Sequence, residues 1–191
     1  HGSEEVSKMQ EYTMYKAVLH FWFEEIAHSH WWKKDPDFDR LIKDRFGPLH
    51  QQAVNCELYQ WRETASGRLA EIILLDQFSR NIYRDSPLSF ANDALALALA
   101  QEAVAAKANL ELSAIENSFL YMPYMHSESL AIHNVALSLF NQNGINDNYN
   151  FAVRHREIIE KFGRYPHRNK ILGRDSTEEE IQFLTTPGSS F

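Results

Sequence analysis

Apolar residues recur at spacings of three and four almost throughout this chain, and alternating runs of β-branched residues are few. That period predicts an all-α protein: a compact array of seven or eight antiparallel helices, with no sheet, in a single domain over residues 1–191. The first helix is expected from about Ser7 to Ala27, ending in the aromatic cluster Phe21-Trp22-Phe23, with His30-Trp31-Trp32 beyond. Lys33-Lys34-Asp35-Pro36 breaks it, because a proline pushes the residue before it out of the helical region. A second helix starts near Asp37, carries Phe38, Leu41, Ile42 and Phe46, and is expected to kink or divide at Gly47-Pro48 before running toward Trp61. A third is expected from about Gly67 to Tyr83, stopped by Arg84-Asp85-Ser86-Pro87, and an alanine-rich fourth from Ser89 to Lys107. Met122-Pro123-Tyr124 separates the fifth from the sixth, and Asn141 to Asn150 reads as a polar turn. The seventh spans Tyr149 to Phe162, with Gly163 placed for a left-handed cap. Ser176 with Glu179 three residues later forms a capping box that opens a short last helix.

The third helix is apolar on both sides. Leu69, Ile72, Ile73 and Tyr83 share one face, and Leu74, Phe78 and Ile82 the other, so it belongs at the centre. Asp76 and Arg80, four apart on the Leu69 side, can pair, with Gln77 and Asn81 nearby. Charges on a buried helix have to be paired or used.

Composition supports a folded globule, since twelve Phe, eight Tyr and four Trp supply a large apolar area. A length of 191 residues suits one domain with a real core. No apolar run reaches the roughly 20 residues of a membrane helix. The start lacks a basic segment leading into an apolar one, so cytoplasmic residence is the expectation. His1-Gly2-Ser3 reads as a cloning remnant, and His1 is left out of the site. Cys56 is the single cysteine, which excludes an intrachain disulfide; beside Val54 and Leu58 it reads as a core residue.

Charge alters the picture near the end of the chain. The formal net charge is -7, yet Arg154 to Arg174 holds seven Lys or Arg against two Glu. Helix seven runs straight into Gly163-Arg164-Tyr165-Pro166-His167-Arg168-Asn169-Lys170, and Arg174 follows. One or two of these cations would neutralise a helix C-terminus. The set Arg164, His167, Arg168, Asn169, Lys170 and Arg174 is denser than that and suits phosphate or carboxylate. An acidic remainder disfavours nucleic acid as a partner. His126-Ser127-Glu128, after the proline break, offers Ser127 as the N-cap of helix six and His126 with Glu128 as a proton-transfer couple. His155, on a stripe with Phe151, Ile158, Ile159 and Phe162, points inward as a core histidine or onto a pocket floor. GxGxxG, GxxxxGK[ST], GxSxG and HExxH are all absent, so no cofactor is indicated and no metal site is expected.

Three strings, Leu75-Asp76-Gln77-Phe78-Ser79-Arg80-Asn81, Tyr124-Met125-His126-Ser127-Glu128 and Phe162-Gly163-Arg164-Tyr165-Pro166-His167-Arg168-Asn169, resemble the bacterial family known as domain of unknown function 924. The likeness extends to Phe21-Trp22-Phe23, to Trp32 through Asp39 and to Leu172 through Glu179. The resemblance implies an all-helical, tetratricopeptide-like fold and no settled activity, although no 34-residue repeat aligns along the chain. Ser79 stands where the family usually has proline. The family's signature positions coincide with the polar groups singled out above. Together they suggest one pocket for a small anionic metabolite, phosphorylated or carboxylated, worked by a hydrolase or transferase. Arg80, Arg164, Arg168 and Arg174 would hold charge there, Asn169 would orient the ligand, with Asp76, Gln77 and Asn81 in the same site, and His126 with Glu128 or His167 would move protons. The alternatives are a noncatalytic helical scaffold binding a partner peptide and a purely architectural polar network.

Overall fold

A computed structural model describes residues 2–191, so His1 lies outside the described residues. No strand occurs among them, and the fold is all-α as expected. The helical segments are α1 (Gly2–His20), α2 (Pro36–Val54), α3 (Ala65–Ile73), α4 (Ser79–Ile82), α5 (Asp93–Ala105), α6 (Ala114–Leu120), α7 (Met122–His126), α8 (Leu130–Asn143), α9 (Asn146–Phe162), α10 (Asn169–Leu172) and α11 (Glu178–Phe183). The expectation of seven or eight falls short of this because several rods are interrupted. A π-helical turn, Leu74–Phe78, joins α3 to α4, and another, Phe21–Glu25, extends α1. Loops fold into short tight turns such as Pro87–Ser89 and Pro166–Arg168. Among the described residues no helix is long and apolar enough to cross a membrane.

The α3–π–α4 rod is the axis of the core, as its two apolar faces require. Leu69, Ile72, Ile73, Leu74, Leu75 and Phe78 are fully buried, and α1, α2, α5 and α6 pack around them. Phe21, Trp22 and Phe46 close around Phe78, with Phe38 packed on Phe21 and Phe119 on Trp22, at ring-centroid distances of about 5–6 Å, the offset and edge geometries that aromatic rings prefer. Thr64 caps the rod by accepting from the Gly67 N–H at 3.0 Å. Helices α8 and α9 form a hairpin across Gly144 and Ile145, and α7 leads into it.

Several local expectations are corrected. Helix α2 runs unbroken through Pro48; burial of Phe46, His50 and Ala53 against the core outweighs the lost N–H bond. It stops at Val54, and Cys56 is an exposed turn residue at φ 59°, outside the core. Pro123 sits at the start of α7, where its missing N–H costs nothing. Ser127 therefore follows a helix rather than opening one. The N-cap of α8 is Ser129, whose hydroxyl accepts from Ile132 N, while Ser127 Oγ accepts from Ser129 N at 3.1 Å. The last capping box is Thr177 with Glu180, one residue later than expected. Phe151 is exposed, although His155, Ile158 and Ile159 on its stripe are buried. Gly163 does adopt the left-handed cap, at φ 73°.

Candidate functional site

The site begins at the π-helical turn. A residue inserted into a helical turn re-aims the side chains around it, and Asp76 and Gln77 lie within Leu74–Phe78. Asp76 is fully buried. It accepts from Gln77 Nε2 at 2.9 Å and from His126 Nδ1 at 2.6 Å, and it faces Arg80 Nη1 at 3.4 Å. Burial alone would raise its pKa, but His126 and Arg80 outweigh that and hold the carboxyl below its ordinary value. His126, at the end of α7, has its pKa pushed down by burial and by Arg80, against the opposing pull of Asp76. The ring is thus neutral at pH 7, with its proton on Nδ1 toward the carboxylate. Among the described residues none bonds to Nε2, which is left with a lone pair.

Arg80 is forked onto Asp93 at 2.8 and 2.9 Å. Arg168, from the cationic loop, is packed between Phe90, 4.5 Å from its guanidinium carbon, and Tyr165 at 4.8 Å. Its Nη2 donates to the His126 carbonyl at 2.9 Å. Its Nη1 stands 3.7 Å from Asp93 and 4.0 Å from Glu128, beyond hydrogen-bond reach, and its buried Nε has no partner. Burial and the nearby Arg80 lower the pKa of this guanidinium.

Two other cations of the loop, Arg174 and Arg164, are already committed, while Lys170 is exposed. Arg174 is forked onto Glu128 at 2.9 and 3.0 Å and donates from Nε to Asn169 Oδ1 at 2.9 Å. Glu128 also accepts the Tyr165 N–H at 2.6 Å. Burial would raise its pKa, but the Arg174 fork and the Tyr165 N–H bring it below the usual value. Arg164 is forked onto the buried Glu180 at 2.9 and 2.8 Å and holds that carboxyl down to about 2. Asn169 Nδ2 reaches Ser176 at 3.1 Å and Glu180 at 3.4 Å, so one polar chain links both forks.

The structure therefore gathers Asp76, Gln77, Arg80, His126, Glu128 and Arg168 at one place, with Asn169 and Arg174 bracing Glu128 from behind. It does not bring in Asn81, which donates to Asp39 at 2.9 Å beside Arg84. Arg164 lies instead at a shallow pocket with Lys161, Phe162 and Glu179. His167 has an unpartnered buried Nδ1, packs 4.3 Å from Phe191, and bonds to none of these groups; burial and Arg168 push its pKa down to about 3. His155 is a core histidine bonded to the Phe151 carbonyl at 2.7 Å. Among the described residues no three or more His, Cys, Asp or Glu are grouped to hold a metal ion.

Asp93, Phe90 and Tyr165 are site residues that the sequence reading missed. Asp93 opens an alanine-rich helix, where an acid is expected for the helix dipole alone. A cleft of about 390 Å³ opens over the assembly, lined by Pro87, Phe90, Ala91, Asp93, Ala94, Leu97, Pro123, His126, Ser127, Glu128, Arg168 and Leu172. Its lining combines apolar side chains with the charged groups of Asp93, Glu128 and Arg168.

Fold and cleft define the class: an all-helical protein with a carboxylate-backed histidine in the lining of a cleft that mixes apolar and charged side chains. The sequence profile described as "Bacterial protein of unknown function (DUF924)" matches residues 18–188. The chain belongs to this family. The solved structure of a protein of unknown function from Agrobacterium tumefaciens is 37% identical, with a TM-score of 0.86 over 90% of this chain and 97% of that one. Among curated proteins none matches.

Proposed function

We propose that the cleft binds a small anionic metabolite and that His126 acts there as a general base, with hydrolysis as the reaction class. The observation that carries this reading is the Asp76–His126 pair. A buried carboxylate fixes Nδ1 at 2.6 Å, and the unpartnered Nε2 belongs to a residue on the cleft wall. A neutral imidazole held in one tautomer by a carboxylate is the arrangement that lets the second nitrogen take a proton. A water there would give up a proton to Nε2 as its oxygen bonds to the reacting acyl or phosphoryl centre. The imidazolium, steadied by Asp76, would return that proton to the leaving oxygen or nitrogen.

Arg168 anchors the anion, because its Nη1 has no hydrogen bond and it lines the same cleft as His126. Arg80 backs it, while Arg164 and Arg174 hold the loop in shape through Glu180 and Glu128. Cytoplasmic residence goes with this reading, since an exposed lone thiol such as Cys56 is at home in a reducing compartment.

The test is a thermal-shift panel of carboxylates, sugar phosphates and nucleotides on the wild type and on Arg168→Lys, which keeps the charge and loses the fork. A ligand at 100 times its Kd adds about 2.7 kcal/mol, a rise of roughly 5–10 °C for a domain of this size. A saturable rise that weakens in Arg168→Lys is expected. No rise with any anion would overturn the reading and favour a scaffold that binds a peptide.

A further inference from the structure

We infer that the ligand of this cleft carries an α-amino acid head, with ammonium and carboxylate on one carbon, and an apolar side chain. The inference rests on the reading of the cleft as a small-carboxylate site and narrows it to a zwitterion.

Charge balance is the first argument. Asp76, Asp93 and Glu128 are three carboxylates; Arg80, Arg168 and Arg174 are three guanidiniums; all are paired in one network. With His126 neutral they cancel. A phosphate dianion placed on Arg168 would leave two uncompensated charges in a largely desolvated place, whereas a zwitterion leaves the sum unchanged and His126 free to act as a base.

The second argument is the pattern of unused bonding positions. Each oxygen of Asp93 accepts one bond from Arg80, so about half of the roughly four acceptor positions of a carboxylate remain open. Glu128 is more fully used, by both arms of Arg174 and the Tyr165 N–H. Arg168 Nη1 is unbonded, and its buried Nε has no partner. The open acceptor on Asp93 and the open donor on Arg168 are 3.7 Å apart, too far to satisfy each other. A ligand with both charges on a single carbon can answer both at once. One with its amine several carbons away cannot.

The third argument is the apolar part of the lining. Phe90, Ala94, Leu97, Pro123 and Leu172 line the same cleft as these charges. The volume of about 390 Å³ is near the lower end of the ~300–1,000 Å³ range for small-molecule sites, which suits a body the size of one amino acid.

The test is calorimetric titration with four probes that each carry a phenyl ring: L-phenylalanine, hydrocinnamate without the ammonium, phenethylamine without the carboxylate, and phenyl phosphate. L-phenylalanine is expected to bind about tenfold or more tightly than each of the others, the scale of one hydrogen bond to a charged group. Asp93→Asn should remove the preference for L-phenylalanine over hydrocinnamate, and Leu97→Ala should weaken every probe that binds. Thermal melts of both variants show whether they are folded. If hydrocinnamate or phenyl phosphate binds as tightly as L-phenylalanine and loses affinity in Arg168→Lys, the amino acid head is refuted while the anion site stands. If no probe binds the folded wild type, the inference and the reading beneath it both fall.

Discussion

Replacing Asp76 by Asn tests the buried pair without changing its shape. The carboxylate accepts from His126, Gln77 and, at longer range, Arg80. An amide can keep the bond from His126 only by turning its own N–H₂ toward Gln77 Nε2, donor against donor. The change thus removes one bond to a charged acceptor, worth about 1.5–3 kcal/mol, and weakens the pairing with Arg80. It falls short of the ~3–5 kcal/mol for stranding a buried ion, because Arg80 keeps both bonds to Asp93. About 3 kcal/mol is expected, read as a lower urea midpoint with an unchanged slope and a melting temperature lower by roughly 6–12 °C. Asp76 is also held below its unfolded pKa, so its contribution is present above about pH 4 and lost as pH falls through the folded value; in the variant that part of the acid loss disappears. The second readout is the tautomer. Nitrogen NMR should show the His126 proton on Nδ1 in the wild type, shifting toward Nε2 in Asp76→Asn, where the amide can donate to Nδ1. A loss below about 0.5 kcal/mol, the range of ordinary surface changes, together with an unmoved tautomer, would refute the proposed pairing.

Burial depresses His155 to about 4 and His167 to about 3. A histidine that resists protonation when folded gives stability that is present above the unfolded pKa near 6.5 and lost as pH falls toward the folded one. Urea unfolding should therefore show about 2 kcal/mol lost per histidine between pH 7 and 5, and His155→Leu should flatten its share of that slope. Ser79→Ala removes the hydroxyl that pairs with buried His50 at 2.8 Å; about 1–2 kcal/mol of destabilisation is expected by urea titration. At Gly67 an added Cβ would collide with the Trp61 carbonyl oxygen and stand 2.9 Å from the capping Thr64 hydroxyl. Gly67→Ala should cost about 3 kcal/mol, visible as a depressed melting temperature and a lower soluble yield.

What was legible in the sequence was what lies within one or two helical turns. Asp76 and Arg80 are four apart, so their pairing follows from the helical period, and Gly163 announces its own left-handed cap. Ser127 against Ser129 and Ser176 against Thr177 could not be decided locally, because each neighbouring hydroxyl can cap equally well. The choice falls to tertiary contacts, such as the burial of Glu180 against Arg164. Nothing in Leu74-Leu75-Asp76-Gln77-Phe78 signals a π-helical turn. The loop after Gly163 shows most plainly why a count of charges misleads. The carboxylates that neutralise Arg164 and Arg174 are Glu180 and Glu128, sixteen and forty-six residues away, so a window along the chain sees the cations without their partners. Once those forks are drawn, the buried guanidinium of the loop left with an unpartnered Nε and an unbonded Nη1 is that of Arg168. Its partners in the cleft, Asp93 and Phe90, come from a segment with no charge excess at all. A ligand site in a balanced network is marked by donors and acceptors left unused, and only three-dimensional bookkeeping of the bonds reveals those.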